Sequence, residues 1–307
     1  QPDEARLPSR RECLYAGRDG NAGKEFLLNE KSLCGQFQNV SSFLYATESI
    51  VRCIKLIHEN TDIPIYKTMN FYNCNVTKDE TLCDLKCYGL TDELLRFKSS
   101  LDREIYEKPY WDQEPVHDVS QKFFWNEEDV SATSLAEAAV KEGSLLSFDL
   151  EPFNDKKLTI LSGDTNYIVD SVNTPKYLVQ NYNTYLNVNR KKLLQIIFEN
   201  TRIDYSTIED KYGADILERE EFDGLIKSLK KFVEHESWES IALDDGLEYK
   251  KYTPKNDEKN WFRGLKYSGQ TIMKFRFSSK MRCFGYRKEN KFMVLRLERD
   301  HSISENG

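Results

Sequence analysis

The stretch Lys274–Ser302, KFRFSSKMRCFGYRKENKFMVLRLERDHS, decides the fold predicted for the last part of this chain. In IMKFRFS, apolar and basic residues alternate, so Lys274 and Arg276 would lie on one face of a strand and the apolar side chains on the other. MRCFGYR and KFMVLRLER continue as two further strands, joined by the short polar connection Lys288–Lys291. The sequence therefore predicts an antiparallel sheet of at least three strands, with an apolar face and a cation-rich face.

The charge of the chain is distributed unevenly. Residues 248–307 contain 15 Lys or Arg and 7 Asp or Glu, a net charge of +8, and because the whole chain carries −7, residues 1–247 carry −15. The segment from Lys266 to Arg299 contains ten cations and only two acids, whereas solvated faces normally mix both signs. A basic module in an acidic chain favours a polyanionic partner.

The remaining sequence predicts an α+β protein. A chain of 307 residues with 39% hydrophobic content can form two modest domains. Apolar residues at three- and four-residue intervals predict helices after Ser41 or Ser42, after Thr91, within Thr133–Gly143 and over 220–235, while SLLSFDL is typical of a buried strand. We expect a disordered tail (1–23), an acidic mixed α/β module (24–170), and helices followed by a basic antiparallel β-sheet module (171–307).

Several protein classes are disfavoured by composition. No window approaches the roughly 18 consecutive apolar residues of a membrane span, and the first residues lack the pattern of a signal peptide. Seven cysteines without a repeated C-x-x-C spacing predict reduced thiols in a cytoplasmic protein. The sequons at Asn39 and Asn75 keep an extracellular location open as the alternative. Cys74, Cys83 and Cys87 are expected to be partly buried small hydrophobes.

The cations of the last strands form the strongest candidate site. Seven of them are placed to contact successive phosphates: Lys274, Arg276, Lys280, Arg282, Arg287, Arg296 and Arg299. Phe284 and Tyr286 would stack on unpaired bases. Arg282, Arg287 and Arg299 are the candidates to stabilise the transition state over a scissile phosphate, and His301 would exchange the proton. The alternative is a wet sheet face whose cations serve solubility and edge protection.

The order of two helices, strands carrying R-x-F-G-Y-R, a hairpin, an apolar strand and a terminal R-D-H resembles the bacterial endoribonuclease toxins of the RelE and ParE superfamily. The resemblance covers residues 220–302, and the chain lacks the terminal Tyr of some members. It implies a RelE-like fold and metal-independent action on messenger RNA, with no cofactor. The matching positions are Lys274, Arg276, Arg282, Arg287, Arg299 and His301. The whole chain is also similar to uncharacterised proteins of bacterial phage-defence loci.

A second candidate site lies in the loop WDQEPVHD. It contains Asp112, Glu114, His117 and Asp118, and Glu137 on the following helix would join them. Three carboxylates and an imidazole suit a divalent metal or an acid/base pair. No known metal spacing fits, so the alternative is a structural loop whose acids cap helices. His58 and His235, each at the end of a predicted helix, are interpreted as structural.

These observations lead to one main hypothesis and two alternatives. The main hypothesis is that the chain is a toxin-like or phage-defence effector of the bacterial cytoplasm. Its basic domain would bind RNA and, in the stronger form of the hypothesis, would also cleave it. Its partners would be RNA and an antitoxin or defence-complex protein, with no membrane. The acidic module would sense a trigger, recruit a partner or cover the basic sheet. The alternatives are a non-catalytic nucleic-acid or protein-binding scaffold, and a metal-dependent enzyme that uses the 109–118 loop.

Overall fold

The computed structural model describes residues 25–33, 35–254, 256–300 and 303. The chain separates into two units, the first ending at Asn187 and the second beginning at Val188. The tail predicted over 1–23 lies outside the described residues. Both units combine helices with a sheet, so the α+β class predicted from the sequence is confirmed.

The first unit is built on a mixed sheet. Its strands are β1 (Phe26–Leu28), β2 (Ile65–Tyr66), β3 (Phe124–Trp125), β4 (Glu128–Asp129), β5 (Ser144–Leu146), β6 (Lys156–Ser162) and β7 (Thr165–Val172). Its α-helices are α1 (Val40–Asn60), α2 (Asp92–Tyr106), α3 (Ser134–Lys141) and α4 (Pro175–Leu186). Short 3₁₀ turns lie at Glu30–Ser32, Met69–Asn73 and Trp111–Gln113. The strand order is β2-β1-β5-β7-β6-β3-β4, parallel from β2 to β7 and antiparallel beyond it.

Three helices of this unit begin where the sequence predicts. The side chain of Asn39 accepts a hydrogen bond from the Ser42 amide at the start of α1, two residues before Ser41, the first of the two expected caps. Thr91 caps α2 and Thr133 caps α3 in the same way. These side chains replace the hydrogen-bond partners that the first amides of a helix lack.

The second unit holds a five-stranded sheet. Its strands are β8 (Ile203–Asp204), β9 (Lys250–Lys251), β10 (Ile272–Arg276), β11 (Arg282–Lys288) and β12 (Lys291–Glu298). Its α-helices are α5 (Arg190–Ile197), α6 (Arg219–Glu234) and α7 (Trp238–Ala242). Its 3₁₀ turns are Asp210–Tyr212, Ala214–Ile216, Asp257–Lys259 and Leu265–Tyr267. The order is β8-β12-β11-β10-β9, with β8 parallel to β12 and the other pairs antiparallel.

The three strands expected in Lys274–Ser302 are confirmed, and α6 covers their apolar face. The Phe232 ring of α6 lies 5.1 Å from that of Phe275 and 5.4 Å from that of Phe292. At the β-bulge beside Gly285, an added Cβ would overlap the carbonyl oxygen of Met293 and lie 2.7 Å from the Phe292 ring. The glycine of R-C-F-G-Y-R is therefore required by the close approach of the neighbouring strand.

The limit between the units differs from the one expected from the sequence. The expected limit, between residues 170 and 171, falls inside β7, and α4 also belongs to the first unit. The sequence over 163–183 is polar with isolated apolar residues because β7 leaves one face open to solvent, with Asn166 and Ile168 exposed. Within the described residues, none of the helices has both the length and the apolar composition needed to cross a bilayer.

Candidate nucleic-acid interface

Two rows of mostly charged side chains cross one face of the C-terminal sheet, because residues paired across neighbouring strands share a face. The first row runs over four strands and consists of Lys250, Lys274, Phe284 and Arg296. The second row runs over three strands and consists of Arg276, Arg282 and Glu298. The sheet thus brings together four of the cations predicted to bind nucleic acid, and it adds Lys250.

The centre of this face is covered, so the open cation-rich face expected from the sequence is wrong. We call Tyr252, Trp261, Phe262 and Tyr267 the aromatic cover. These four residues pack on the first row, and Phe284 beneath them is fully buried, with its ring 5.3 Å from that of Trp261. Phe284 is therefore not accessible for stacking on a base. The apolar surface of Phe284 and Leu295 on this face is the physical reason, since it is buried only when something covers it.

Arg296 packs against the aromatic cover and helps to hold it in place. Its guanidinium lies 4.8 to 5.4 Å from the ring centroids of Tyr212 and of three members of the cover. It forms a salt bridge of 2.8 Å with Glu209. Burial alone would raise the pKa of the Glu209 carboxyl, but hydrogen bonds from Lys266 and Arg296 outweigh it and lower the pKa. Arg296 therefore closes a structural cage, and phosphate binding is not needed to explain its charge.

Lys250, Lys274, Arg276 and Arg282 form what we call the cationic cluster. Lys250 lies directly opposite Lys274, and Arg276 directly opposite Arg282, although like charges in this arrangement repel. Glu248 offsets part of the charge, at 2.8 Å from Arg276 and 3.7 Å from Arg282. Burial, followed by the charges of Lys250 and Arg282, lowers the pKa of the Lys274 ammonium. Among the described residues, the acids beside these four cations are Glu248 and Glu298.

The other predicted residues of this region lie apart from the cluster. Arg299 pairs with Glu221 of α6 at 2.9 Å, and Lys280 is exposed on the turn between β10 and β11. Arg287 lies on the opposite face of the sheet, 4.5 Å over the Trp238 ring, and Tyr286 is half-buried beside the aromatic cover. His301 lies outside the described residues. Arg282, Arg287 and Arg299, all predicted to be catalytic, are thus distributed over both faces and one end of the sheet.

In the first unit, the loop predicted as a second site brings together two of its residues. His117 Nδ1 lies 2.6 Å from Glu137 Oε2, and both side chains are buried. Nε2 of the same ring lies 2.9 Å from the carbonyl oxygen of Ser131, so both ring nitrogens have oxygen partners. Glu137 also accepts hydrogen bonds from the amides of Val116 and His117. Every polar atom of the pair is thus engaged within the protein.

The other acids of the loop do not join this pair. Asp112 accepts hydrogen bonds from the Thr68 hydroxyl and the Met69 amide, Asp118 accepts one from the Ser120 amide, and Glu114 is exposed. No three potential metal ligands come together within the described ranges. The loop acids are therefore capping or solvated groups.

The remaining cysteines and His235 have ordinary surroundings. Cys74 and Cys87 are half-buried, as expected, whereas Cys83 is exposed. His235 Nε2 lies 2.9 Å from Asp244 Oδ2 in the turn after α7, which agrees with a structural role.

Sequence reasoning missed Lys250, Glu248 and the aromatic cover. The signal for Lys250 was the Tyr-Lys-Lys-Tyr run at 249–252, but β9 is only two residues long and too short for a periodicity to be recognised. The cover shows no strand or helix period either, because it consists mostly of irregular backbone and 3₁₀ turns. Comparison of the chain with protein-family models, with curated proteins and with solved structures found no match.

Proposed function

We propose that the second unit binds RNA through the cationic cluster of Lys250, Lys274, Arg276 and Arg282. The observation that carries this proposal is the pair of directly opposed like charges, Lys250 with Lys274 and Arg276 with Arg282, on one face. Such pairs destabilise a sheet in isolation. A bound phosphate would remove the repulsion.

The four cations differ in exposure, and therefore in how they can contribute to binding. Lys250 is exposed and the Arg276 side chain is 32% exposed, so these two can contact a phosphate directly. Lys274 and Arg282 are buried beneath them, where their charges are screened less by water than surface charges are. A chain of phosphates supplies the matching negative charge along the sheet edge. Single-stranded RNA is the polyanion that the RelE and ParE resemblance implies.

The expected result is that Lys250→Gln combined with Arg276→Gln weakens RNA binding by the full chain at least about tenfold. Each lost phosphate contact should also lower the slope of log affinity against log salt by about 1. Fluorescence anisotropy with a labelled single-stranded RNA, at several salt concentrations, measures both quantities.

The matched control is Lys288→Gln combined with Lys291→Gln, which removes two exposed cations from the β11–β12 turn. This variant has the same net charge as the first, so a general charge effect would weaken both equally. Equal losses in the two variants, or binding that does not respond to salt, would count against the cluster as the RNA site.

Cleavage of the bound RNA is the second candidate function, and Lys274 is the observation that favours it. An amine whose pKa is lowered by burial and by neighbouring cations can exchange a proton nearer neutral pH than an ordinary lysine. Arg282 lies diagonally across from Lys274 on β11, and its buried charge would stabilise the charge that develops on the phosphate without contacting it. Arg287, Arg299 and His301 keep the catalytic roles that the resemblance implies, as proposals.

We expect the full chain to cleave single-stranded RNA in the presence of EDTA, and Lys274→Met to abolish cleavage while RNA binding falls less than tenfold. Gel electrophoresis of the products and anisotropy separate the two effects. Growth arrest on expression of the intact chain, lost in Lys274→Met, would support a toxin-like or defence effector that requires a controlling partner protein. If the intact chain binds RNA but does not cleave it, the result supports the non-catalytic scaffold alternative.

A further inference from the structure

A groove of about 620 Å³ lies between α1 and α2 in the first unit. Its volume falls in the range of small-molecule sites. Its walls are the last turns of the two helices, and they include Glu104 and His58. Lys67 lies behind Glu104 and completes a line of three charged side chains, Lys67, Glu104 and His58. This groove belongs to neither site considered above.

The inner end of the line is a lysine without access to solvent. The Lys67 side chain is 1% exposed, and its Nζ lies 3.1 Å from the carbonyl oxygen of Ile65 and 3.4 Å from Glu104 Oε1. The Tyr110 ring centroid lies 5.9 Å away. Burial lowers the pKa of this ammonium, although the Glu104 charge opposes the shift. A buried ammonium of this kind requires Glu104 to be ionised.

The outer end is a histidine that faces solvent. His58 Nε2 lies 2.8 Å from Glu104 Oε2, and the side chain is 48% exposed. The hydrogen bond to Glu104 raises the pKa of the imidazole, against the opposing effect of burial. Burial would raise the pKa of Glu104, but its bond with His58 and the Lys67 charge outweigh burial and lower it. Glu104 thus holds His58 in one orientation and favours its charged form, against the smaller opposing effect of the Lys67 charge.

Two donors on the groove wall have no acceptor in the part of the chain that the structure describes. Among the described residues, none accepts a hydrogen bond from Nδ1 of His58 or from the Arg103 guanidinium, and both residues line the groove. The remaining charges near His58 are Lys55 paired with Glu59 at 3.6 Å, and Glu107 on the end of α2. With His58 charged, Lys55, His58, Lys67 and Arg103 outnumber Glu59, Glu104 and Glu107 by one. The groove therefore offers hydrogen-bond donors and a small positive excess.

We propose that this groove binds a small oxyanion, held by the His58 imidazolium and the Arg103 guanidinium. The rival interpretation is that the Lys67–Glu104–His58 line only fastens α1 to α2. The two differ in a measurable way, because only a binding site makes the titration of His58 depend on the anion present.

Sulfate is a suitable probe, since its charge does not change over the range in which a histidine titrates. In the full chain labelled with ¹³C-histidine, the four histidines are resolved by NMR, and His58→Gln assigns the resonance. At constant ionic strength, replacing chloride by sulfate should shift the His58 resonance saturably and raise its titration midpoint. Arg103→Gln should weaken this response about tenfold, as loss of one charge-assisted contact does.

Arg96→Gln is the matched control, because Arg96 is an exposed arginine of the same helix and does not line the groove. A response kept in Arg96→Gln and lost in Arg103→Gln supports the site. Acetate in place of sulfate then distinguishes a carboxylate ligand from a tetrahedral oxyanion. The proposal fails if sulfate shifts His58 no more than His235, or if the two arginine variants respond alike.

Discussion

Glu137→Ala is expected to lower the free energy of unfolding by about 3 to 5 kcal/mol, because it removes a buried carboxylate that pairs with Lys141 and contacts the His117 ring. The Glu137 carboxylate accepts hydrogen bonds from the His117 ring and from the amides of Val116 and His117, and Lys141 lies 3.7 Å away. The substitution leaves the buried His117 without the acceptor of its ring and of its amide. Urea unfolding of the wild type and the variant measures the difference.

The matched control is Glu114→Ala in the same loop, since Glu114 is exposed. We expect it to change stability by less than about 0.5 kcal/mol. If both substitutions had equal, small effects, His117 and Glu137 would not anchor the loop. This comparison also distinguishes a structural role of the His117–Glu137 pair from the metal-site alternative. A metal site would require both Glu114 and Glu137 for activity and neither for folding.

The effect of Glu137→Ala should also depend on pH. Burial would raise the pKa of Glu137, but hydrogen bonds from His117 and the two amides outweigh burial, and the folded-state pKa lies below the ordinary value. A lowered pKa contributes stability that is present above the unfolded value of about 4.3 and is lost as pH falls through the folded value. The stability difference between wild type and variant should therefore narrow as the solution is acidified below that value.

Arg296→Met should destabilise the second unit by roughly 2 to 4 kcal/mol, because it removes the cation at the centre of the aromatic cage. Methionine keeps much of the apolar stem, so the loss reports on the guanidinium and its contacts with Glu209 and the rings. Hydrogen exchange across residues 252–267 should accelerate most, because the aromatic cover would lose its anchor on β12.

Arg299→Met provides the comparison, since Arg299 follows β12 and pairs with Glu221 while its side chain is 40% exposed. A surface pair of this kind contributes about 1 kcal/mol or less. If hydrogen exchange in Arg296→Met accelerated uniformly over the whole unit, Arg296 would not be an anchor specific to the aromatic cover. Because the chain has two units, their unfolding transitions should be followed separately, and Trp261 of the cover reports on the second unit.

The sequence contained enough local information to locate most regular elements. The caps Thr91 and Thr133 and the apolar stripe of α6 depend on neighbours within one or two turns, so they can be recognised without the fold. The three strands of Lys274–Ser302 follow from a period of two. The candidate site was predictable only in part, because Glu248 and Glu209 reach the strand cations from distant parts of the chain.

A cation-rich face on the last strands could be predicted from the residues alone, since alternation fixes which side chains share a face. Which cations remain available on that face depends on the packing of distant segments. Arg296 is enclosed by rings that precede it along the chain, whereas Lys250, from a two-residue edge strand, is placed opposite Lys274. Strand periodicity is a property of neighbouring residues, but burial and charge compensation depend on which distant segments fold over the sheet.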